Sequence, residues 1–556
     1  MKFTLALALA SLSVACGGPT VHTDHAPPPP PPPPPVVEKK VPMPPPPPPI
    51  ATQTAAPQDL KFPDEEFRKT QPPPSEPRPF RLPKMKPFAL KSGVQVYLVE
   101  QHALPIVSMQ LEFDGGALVD PRGKDGLASV CMAMLTEGTE KLDKIQYAEA
   151  LADIASSINA SASDDAVHLS LSSLTKHLDA TYALFVDTLR TPGLRDSDFK
   201  RMIHRRIEGV RQARTNPAQI PGRISETILY GDKHPRGGVI TEDSLKAITL
   251  DDCHKFLTTW LKPQRARLYV VGDQTEADVR ARFEGAALAG WKGAAPRPPA
   301  LPPAKPMKGR IFFVNAPSAQ QSQVWMMAFG PRRNAPDYFD TTIMSTVFGG
   351  GFASRINMNL REDKGYTYGA RGGYAYNRQE SELVVSSAVR SDATYQTLLE
   401  IDREVKELHA GTTPATADEI DREKTGAILA LPSRFATAQA ALGQYRSLIY
   451  YGLPLDYYDH YVANITKVND KGVKAAAAKH LDPKDAVYLV VGDGDAKMIV
   501  HNPNAEKNAP ASTKDLPFLK DGKQVTLREA LIDIARRGDV GAGGFVELDP
   551  DGKPLK

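Results

Sequence analysis

The sequence predicts an α+β fold in which one mixed domain occurs twice, and three observations carry that expectation. Leu268-Tyr269-Val270-Val271-Gly272-Asp273 is echoed by Tyr488-Leu489-Val490-Val491-Gly492-Asp493, and Pro263 by Pro483, both at an offset of 220 residues. Leu229-Tyr230-Gly231 is matched by Tyr450-Tyr451-Gly452 within a residue of that offset. Self-similarity on this length scale marks a duplicated domain rather than a solenoid. Between the copies, Pro296–Pro306 (PRPPALPPAKP) interrupts all periodicity and reads as a linker. Within each copy, strand-like alternation mixes with runs of helical periodicity, as in α+β proteins.

The chain of 556 residues is long enough for two large cores. Its formal net charge of +3 gives no reason to expect a nucleic-acid partner. Residues 1–16 read as an export signal: Lys2 precedes an apolar stretch, Phe3–Ala10, too short to span a membrane. Ser13-Val14-Ala15 leads into Cys16, which is similar to a bacterial lipoprotein cleavage box, although Leu12 stands one place earlier than usual. Cys16 is then the lipidation site and the membrane is touched through that anchor only; the alternative is a plain signal with an incidental cysteine. Residues 17–79, with the runs Pro27–Pro35 and Pro44–Pro49, cannot make a core and read as a stiff, extended spacer.

The first copy, 80–292, opens with strands Val94–Val99 and Ile106–Phe113 around a turn at Gln101–Pro105. Helices Gly126–Leu135 and Ile145–Ser157, a strand Ile158–Leu171, helices Leu178–Leu189 and Phe199–Arg214, and strand Leu268–Gly272 follow. Cys131 and Cys253 each fall inside a predicted helix, so no disulfide framework is expected. The linker, 293–308, leads to the second copy, 309–500. Residues 501–556 read as a polar tail with one docked helix, apolar along Leu527, Ala530, Leu531 and Ile534 and capped by Thr526.

The most informative stretch is Phe348–Gly369, FGGGFASRINMNLREDKGYTYG. Gly349, Gly350 and Gly351 read as a flexible loop. Ala353, Ile356 and Leu360 recur at helical spacing with Arg361 near the helix end, and Gly365 suits a left-handed terminus. Tyr366, Tyr368, Ala370, Gly372, Tyr374 and Tyr376 then alternate as one face of a strand. This unit can bring Arg361 and Tyr368 together; taken alone, it equally suits a plain connection with a solvated arginine and core tyrosines.

The run resembles the substrate-clamp segment in the C-terminal half of the pitrilysin family, the inverted-zincin metallopeptidases. The resemblance implies two similar halves facing each other across a cleft. It also implies that Arg361 and Tyr368, beside the Gly349–Gly351 loop, hold the substrate backbone or the oxyanion of a tetrahedral intermediate. Gly126–Thr139 (GLASVCMAMLTEGT) resembles the family's zinc helix, where H-x-x-E-H is required. Histidines four apart share one helical face and can both bind zinc, while the glutamate activates the bound water. Here those positions hold Ser129, Met132 and Ala133, and the register of the family's third ligand, a glutamate, lands on Gly209. These four positions are vestigial, and neither zinc nor another cofactor is expected in this chain.

Two other clusters carry less. His204 and Glu208 share a helical face, but Arg201, Arg205 and Arg206 surround the histidine and oppose a dication. Asp251-Asp252-Cys253-His254 follows Thr249 and reads as the acidic first turn of a helix. The resemblance thus implies a non-catalytic, substrate-clamping subunit of a cell-envelope zinc peptidase. Its partner in a heterodimer would bring H-x-x-E-H and the zinc, and the pair would act on peptides. A structural or chaperone-like peptide-binding scaffold is the alternative. Gly17 after Cys16 directs the exported chain to the outer membrane, facing the bacterial periplasm.

Overall fold

A computed structural model describes residues 70, 84–502, 504–505, 511–540 and 543–555 of the chain. The export signal, Cys16 and the proline runs lie outside the described residues. In the first half, β1 (Lys86–Ala89), β2 (Gln95–Glu100), β3 (Ile106–Asp114), β4 (Ser157–Ala162), β5 (Ala166–Leu174) and β6 (Arg267–Gly272) form a sheet ordered β1-β2-β6-β3-β5-β4. Its helices are α1 (Leu127–Met134), α2 (Lys144–Asp153), α3 (Leu178–Arg190), α4 (Asp196–Thr215), α5 (Ile220–Tyr230), α6 (Glu242–Ala247), α7 (Leu250–Trp260) and α8 (Glu276–Phe283).

The second half repeats the plan with β7 (Ile311–Asn315), β8 (Gln321–Gly330), β9 (Thr367–Tyr376), β10 (Ser381–Arg390) and β11 (Val487–Gly492), ordered β7-β11-β8-β10-β9. Its helices are α9 (Tyr338–Ser345), α10 (Arg355–Asn357), α11 (Thr394–Ala410), α12 (Ala417–Leu429), α13 (Ala438–Tyr451), α14 (Tyr457–Lys467) and α15 (Asp470–His480). Two small ribbons follow, β12 (Ile499–His501) with β13 (Asp515–Pro517) and β14 (Leu519–Lys520) with β15 (Lys523–Gln524), then α16 (Ala511–Lys514) and α17 (Leu527–Arg537) in their places along the chain. Last comes β16 (Phe545–Leu548), which lies parallel to β7 and completes a six-stranded sheet. The fold is α+β and duplicated.

The repeated apolar runs are central strands buried on both faces, which is why they lack polar alternation. Leu268 and Val270 face the core of their own half, whereas Tyr269 and Val271 join the apolar cluster of the second half. In the second copy Tyr488 and Val490 point inward, and Leu489 and Val491 pack with α5 from the first half. The halves therefore interlock. Ile220, Ile224, Ile228, Leu229 and Tyr230 of α5 share one cluster with Phe312, Val314, Met327 and Leu489 of the second sheet. Reciprocally, α13 packs on β3 and β6 of the first sheet. Burial of a large apolar side chain is worth about 1.5–3 kcal/mol, so the five from α5 together rival the whole stability of an ordinary domain.

Four expectations are corrected. Ile158–Leu171 is not one strand but parts of β4 and β5, folded at Ser163–Ala166, where the Ser163 N–H donates to the Ala166 carbonyl at 2.8 Å. The small polar residues of both strands hid the turn. Cys131 of α1 and Cys253 of α7 form a disulfide, because the helices cross with the two Cα atoms 4.9 Å apart. The segment after Val500, read as a polar tail, supplies β16, while α17 buries Leu527, Ala530, Leu531 and Ile534 and is capped by Thr526. Gly349 and Gly350 are not a flexible loop: they continue α9 as a π-helical turn, Thr346–Gly350. A Cβ on Gly349 would stand 2.7 Å from the Gly372 backbone of β9, so the glycine is required by close approach of helix and strand.

A charged knot fastens α13 to the first sheet. Arg446 donates to Glu112 and, at 3.2 Å, to Nε2 of His168, while Arg267 donates to the other Glu112 oxygen at 2.7 Å. Burial, then the Arg446 charge, pushes the His168 imidazole down to about 4. An unfolded chain takes up this proton below about pH 6.5, whereas the folded chain resists until about pH 4. The contribution of His168 to stability is accordingly lost as pH falls through that window, by about 2 kcal/mol at pH 5. Asp120 and Glu226, pushed up by burial to about 7 and about 8, act in the opposite sense over the same range, so the His168 effect is read as a difference. Denaturant titrations at pH 7 and pH 5 should show the stability of His168→Gln relative to the parent rising by about 2 kcal/mol between the two.

Candidate functional site

The helix that resembles a zinc helix is firmly placed. The Asp120 carboxylate accepts from the backbone N–H groups of Gly126 and Ala128, each at 2.9 Å, and so caps the start of α1. The disulfide ties α1 to α7, and Glu137, just past α1, accepts from Lys144 at 2.6 Å and from Arg201 of α4 at 2.8 Å. Met132 is buried in the apolar core and Ala133 lies at its edge. Gly209 is exposed on α4, with open space where its side chain would be. One turn before it, Arg206 reaches back to α1. Its Nη1 donates to Ser129 Oγ at 2.8 Å and its Nη2 to the Ser129 carbonyl at 3.1 Å.

This geometry does not suit a zinc ion. The donor set offers a serine, a thioether, a methyl group and a glycine in place of two imidazoles and two carboxylates. A guanidinium is hydrogen-bonded to the first ligand position, where its charge repels a dication. His204 and Glu208 are exposed, and Glu208 pairs with Arg211 at 2.6 Å. The Thr249–Asp252 segment is a capping box at the start of α7. No cluster of three or more metal-binding side chains occurs among the described residues. In the sequence Arg206 stands out only as one of three arginines around His204; which of the three turns inward depends on the crossing of α1 and α4.

The second site is built differently. α10 buries Ile356 and runs into a π-helical turn, Met358–Asp363, that buries Leu360 and carries Arg361 on its outer side. Ala353, placed on the apolar face by spacing, is instead exposed, since the helix begins only after Ser354. Asn357 pins the segment to β9: its Oδ1 accepts from the Ala370 N–H at 3.0 Å and its Nδ2 donates to the Phe352 carbonyl at 2.7 Å. Gly365 closes the turn at φ +66°.

Tyr368 departs from the alternation expected of it. Ser387 pairs with Ala370 and Val389 with Thr367, so Tyr368 and Gly369 together stand opposite one residue of β10. This bulge turns Tyr368 outward, 89 % exposed, while Tyr366 and Ala370 stay buried. Arg361 lies over the Phe352 ring at 4.8 Å, with its Nε 3.1 Å from Glu362. No hydrogen bond or ring contact joins Arg361 to Tyr368 among the described residues. Both are presented to solvent from one segment that also exposes Phe352 and Met358, and a cavity of about 680 Å³ borders it at Met358, Asn359 and Glu362. Gly351, in extended conformation, precedes this face.

Comparison with known proteins covers both halves. Residues 95–232 match the family described as insulinase (peptidase family M16), and residues 247–427 match the peptidase M16 inactive domain. The non-peptidase homolog YmxG of Helicobacter pylori is 22 % identical over 411 residues, covering 72 % of this chain and 93 % of that protein. The peptidase M16 inactive domain from Pseudomonas fluorescens superposes with a TM-score of 0.67 at 24 % identity, covering 74 % of this chain and 98 % of that one. The periplasmic protease PqqL from Escherichia coli gives a TM-score of 0.62 at 14 % identity, over 74 % of this chain and 45 % of that chain.

The donor chemistry at α1 sets the expectation for metal. Elemental analysis of the purified chain should find no stoichiometric zinc. Ser129→His, Met132→Glu and Ala133→His combined should still fail to bind it, because Arg206 occupies the approach and Gly209 supplies no ligand. About one zinc per chain in either protein would refute this account.

Proposed function

From the premise that this chain belongs to peptidase family M16, we propose that it is a non-catalytic subunit that holds peptides for a zinc-bearing partner of the same family. The observation that carries the reading is the contrast between its two sites. The first zinc-helix position is held by an arginine, whereas the Arg361–Tyr368 segment presents its polar side chains to solvent. A partner supplying H-x-x-E-H and zinc would activate water for peptide hydrolysis. Arg361 and Tyr368 would hold the substrate from a helical turn pinned by Asn357 and from a strand bulge, supports stiffer than a loop. The relatives described as non-peptidase or inactive support the first half of this reading.

For location we propose an exported chain anchored at the outer membrane through Cys16. The periplasmic relative supports export, and so does the Cys131–Cys253 disulfide, since such bonds persist in oxidising compartments. None of the helices among the described residues is long and apolar enough to cross a membrane. Cys16→Ala should move the chain from the membrane fraction to the soluble one. Fractionation identical to that of the parent would remove the anchor.

Because both clamp side chains are substantially exposed, replacing them should leave the fold within about 0.5 kcal/mol. Arg361→Ala and Tyr368→Phe should nevertheless lower kcat/KM of the reconstituted pair about 10²–10³-fold, the usual loss for a donor acting mainly on the transition state. Steady-state kinetics with assembly checked by size exclusion reads this directly. Full activity in both variants would favour the peptide-binding scaffold.

A further inference from the structure

We propose that the cavity beside Arg206 and Gly209 is a receptor for a peptide carboxylate. The cavity measures about 550 Å³ and is lined by Arg205, Arg206, Gly209, Arg223, Glu226 and Ile240 among others, a size suited to the end of a peptide. Its charge is unbalanced. Arg206 makes no ion pair with any described carboxylate; its partners are the two oxygens of Ser129. Arg205 shares Glu137 with Lys144 and Arg201, and with Asp198 beside Arg201 two carboxylates serve three cations. Arg223 and Arg214 share Asp551, and the Arg223 Nε is buried without a hydrogen-bond partner.

A partly buried guanidinium without a counter-charge is costly, and an anion entering the cavity would offset that cost. Burial, followed by the Arg205 charge, already lowers the Arg206 pKa from its ordinary value. The one carboxyl in the wall does not compete. Burial, with the Asp164 and Glu382 charges, pushes Glu226 up to about 8, so near neutrality it is mostly protonated and can itself donate to an anion. Planar carboxylates match the guanidinium fork, and charge-assisted pairs of this kind are stronger than neutral ones. The cavity thus has the chemistry to receive an anion.

The choice of a peptide as the carrier rests on the function proposed above; the preference for a carboxylate rests on the cavity. The test uses the full chain and three probes: acetyl-trialanine as the free acid, its C-terminal amide, and amidated acetyl-Ala-Ala-Glu. Titration calorimetry should give the free acid an affinity at least tenfold above that of the amide. Affinity of the glutamyl probe near that of the acid would make side-chain carboxylates a second source of ligand; affinity near that of the amide would restrict the site to chain termini.

Arg206→Gln should erase the difference between acid and amide. So should Gly209→Glu, which places a carboxylate one turn from Arg206 at an exposed helix position with open space, and so preserves the fold. If Arg206→Gln fails to fold, Gly209→Glu carries the test. Arg361→Ala should move both affinities together and leave their ratio intact, so a failed clamp and a failed carboxylate site give different results. Equal binding of acid and amide, binding of neither, or discrimination that survives Gly209→Glu would overturn the proposal.

Discussion

Each half of this chain covers the outer face of the other half's sheet with one of its own helices, and much of the structure depends on that exchange. The apolar clusters around α5 and α13 close two sheets that would otherwise each expose an oily face. Two tyrosines at the duplicated offset finish the contact with polar groups. Tyr230 on α5 donates to Glu382 of β10 at 2.9 Å, and Tyr450 on α13 donates to Asp165, just before β5. A buried hydroxyl without such an acceptor would cost about 1–3 kcal/mol, so the pairs fix the register of the interlock as well as strengthening it. Hinging the halves apart within the chain would break both sides at once. In a two-chain peptidase, the opening that admits a substrate would then fall at the joint between subunits.

Much of this architecture was legible because duplication writes the same physics twice. The doubly buried strands produced the LYVVG and YLVVG runs, and the cross-half tyrosines produced the Tyr-Gly echo. What escaped the sequence depends on tertiary crossing. The disulfide requires α1 and α7 to meet, which no spacing between residues 131 and 253 announces. The chain crosses to a remote edge to place β16 beside β7, in parallel, whereas β1 at the equivalent edge is antiparallel to β2. Conformation can also differ where composition is suggestive: three glycines in a row looked like mobility, and Gly349 proved to mark close packing of helix against strand.

The two candidate sites differ in the same way. At Phe348–Gly369 the residue types and their order were visible, yet the bulge that turns Tyr368 outward was not, since period-two alternation places it with Tyr366 and Ala370. At α1 the missing ligands were visible, because a serine, a methionine and an alanine cannot stand in for two histidines and a glutamate. The contact of Arg206 with Ser129 was not, because it depends on how α4 crosses α1.

Arg206 also bears on why the metal site would be hard to restore. Losing one ligand weakens a metal site, but placing a guanidinium against the first ligand position reverses the electrostatic preference at that position. Histidines restored at positions 129 and 133 would face that charge, and a glutamate at position 132 would be buried in the apolar core around Met132. The interactions that now hold α1 in place need no metal: the Asp120 cap, the bond to Cys253, and Glu137 gathering cations from α2 and α4. Those supports keep the helix ordered without the ion, and an ordered helix with an inward-turned arginine is free to serve binding rather than hydrolysis.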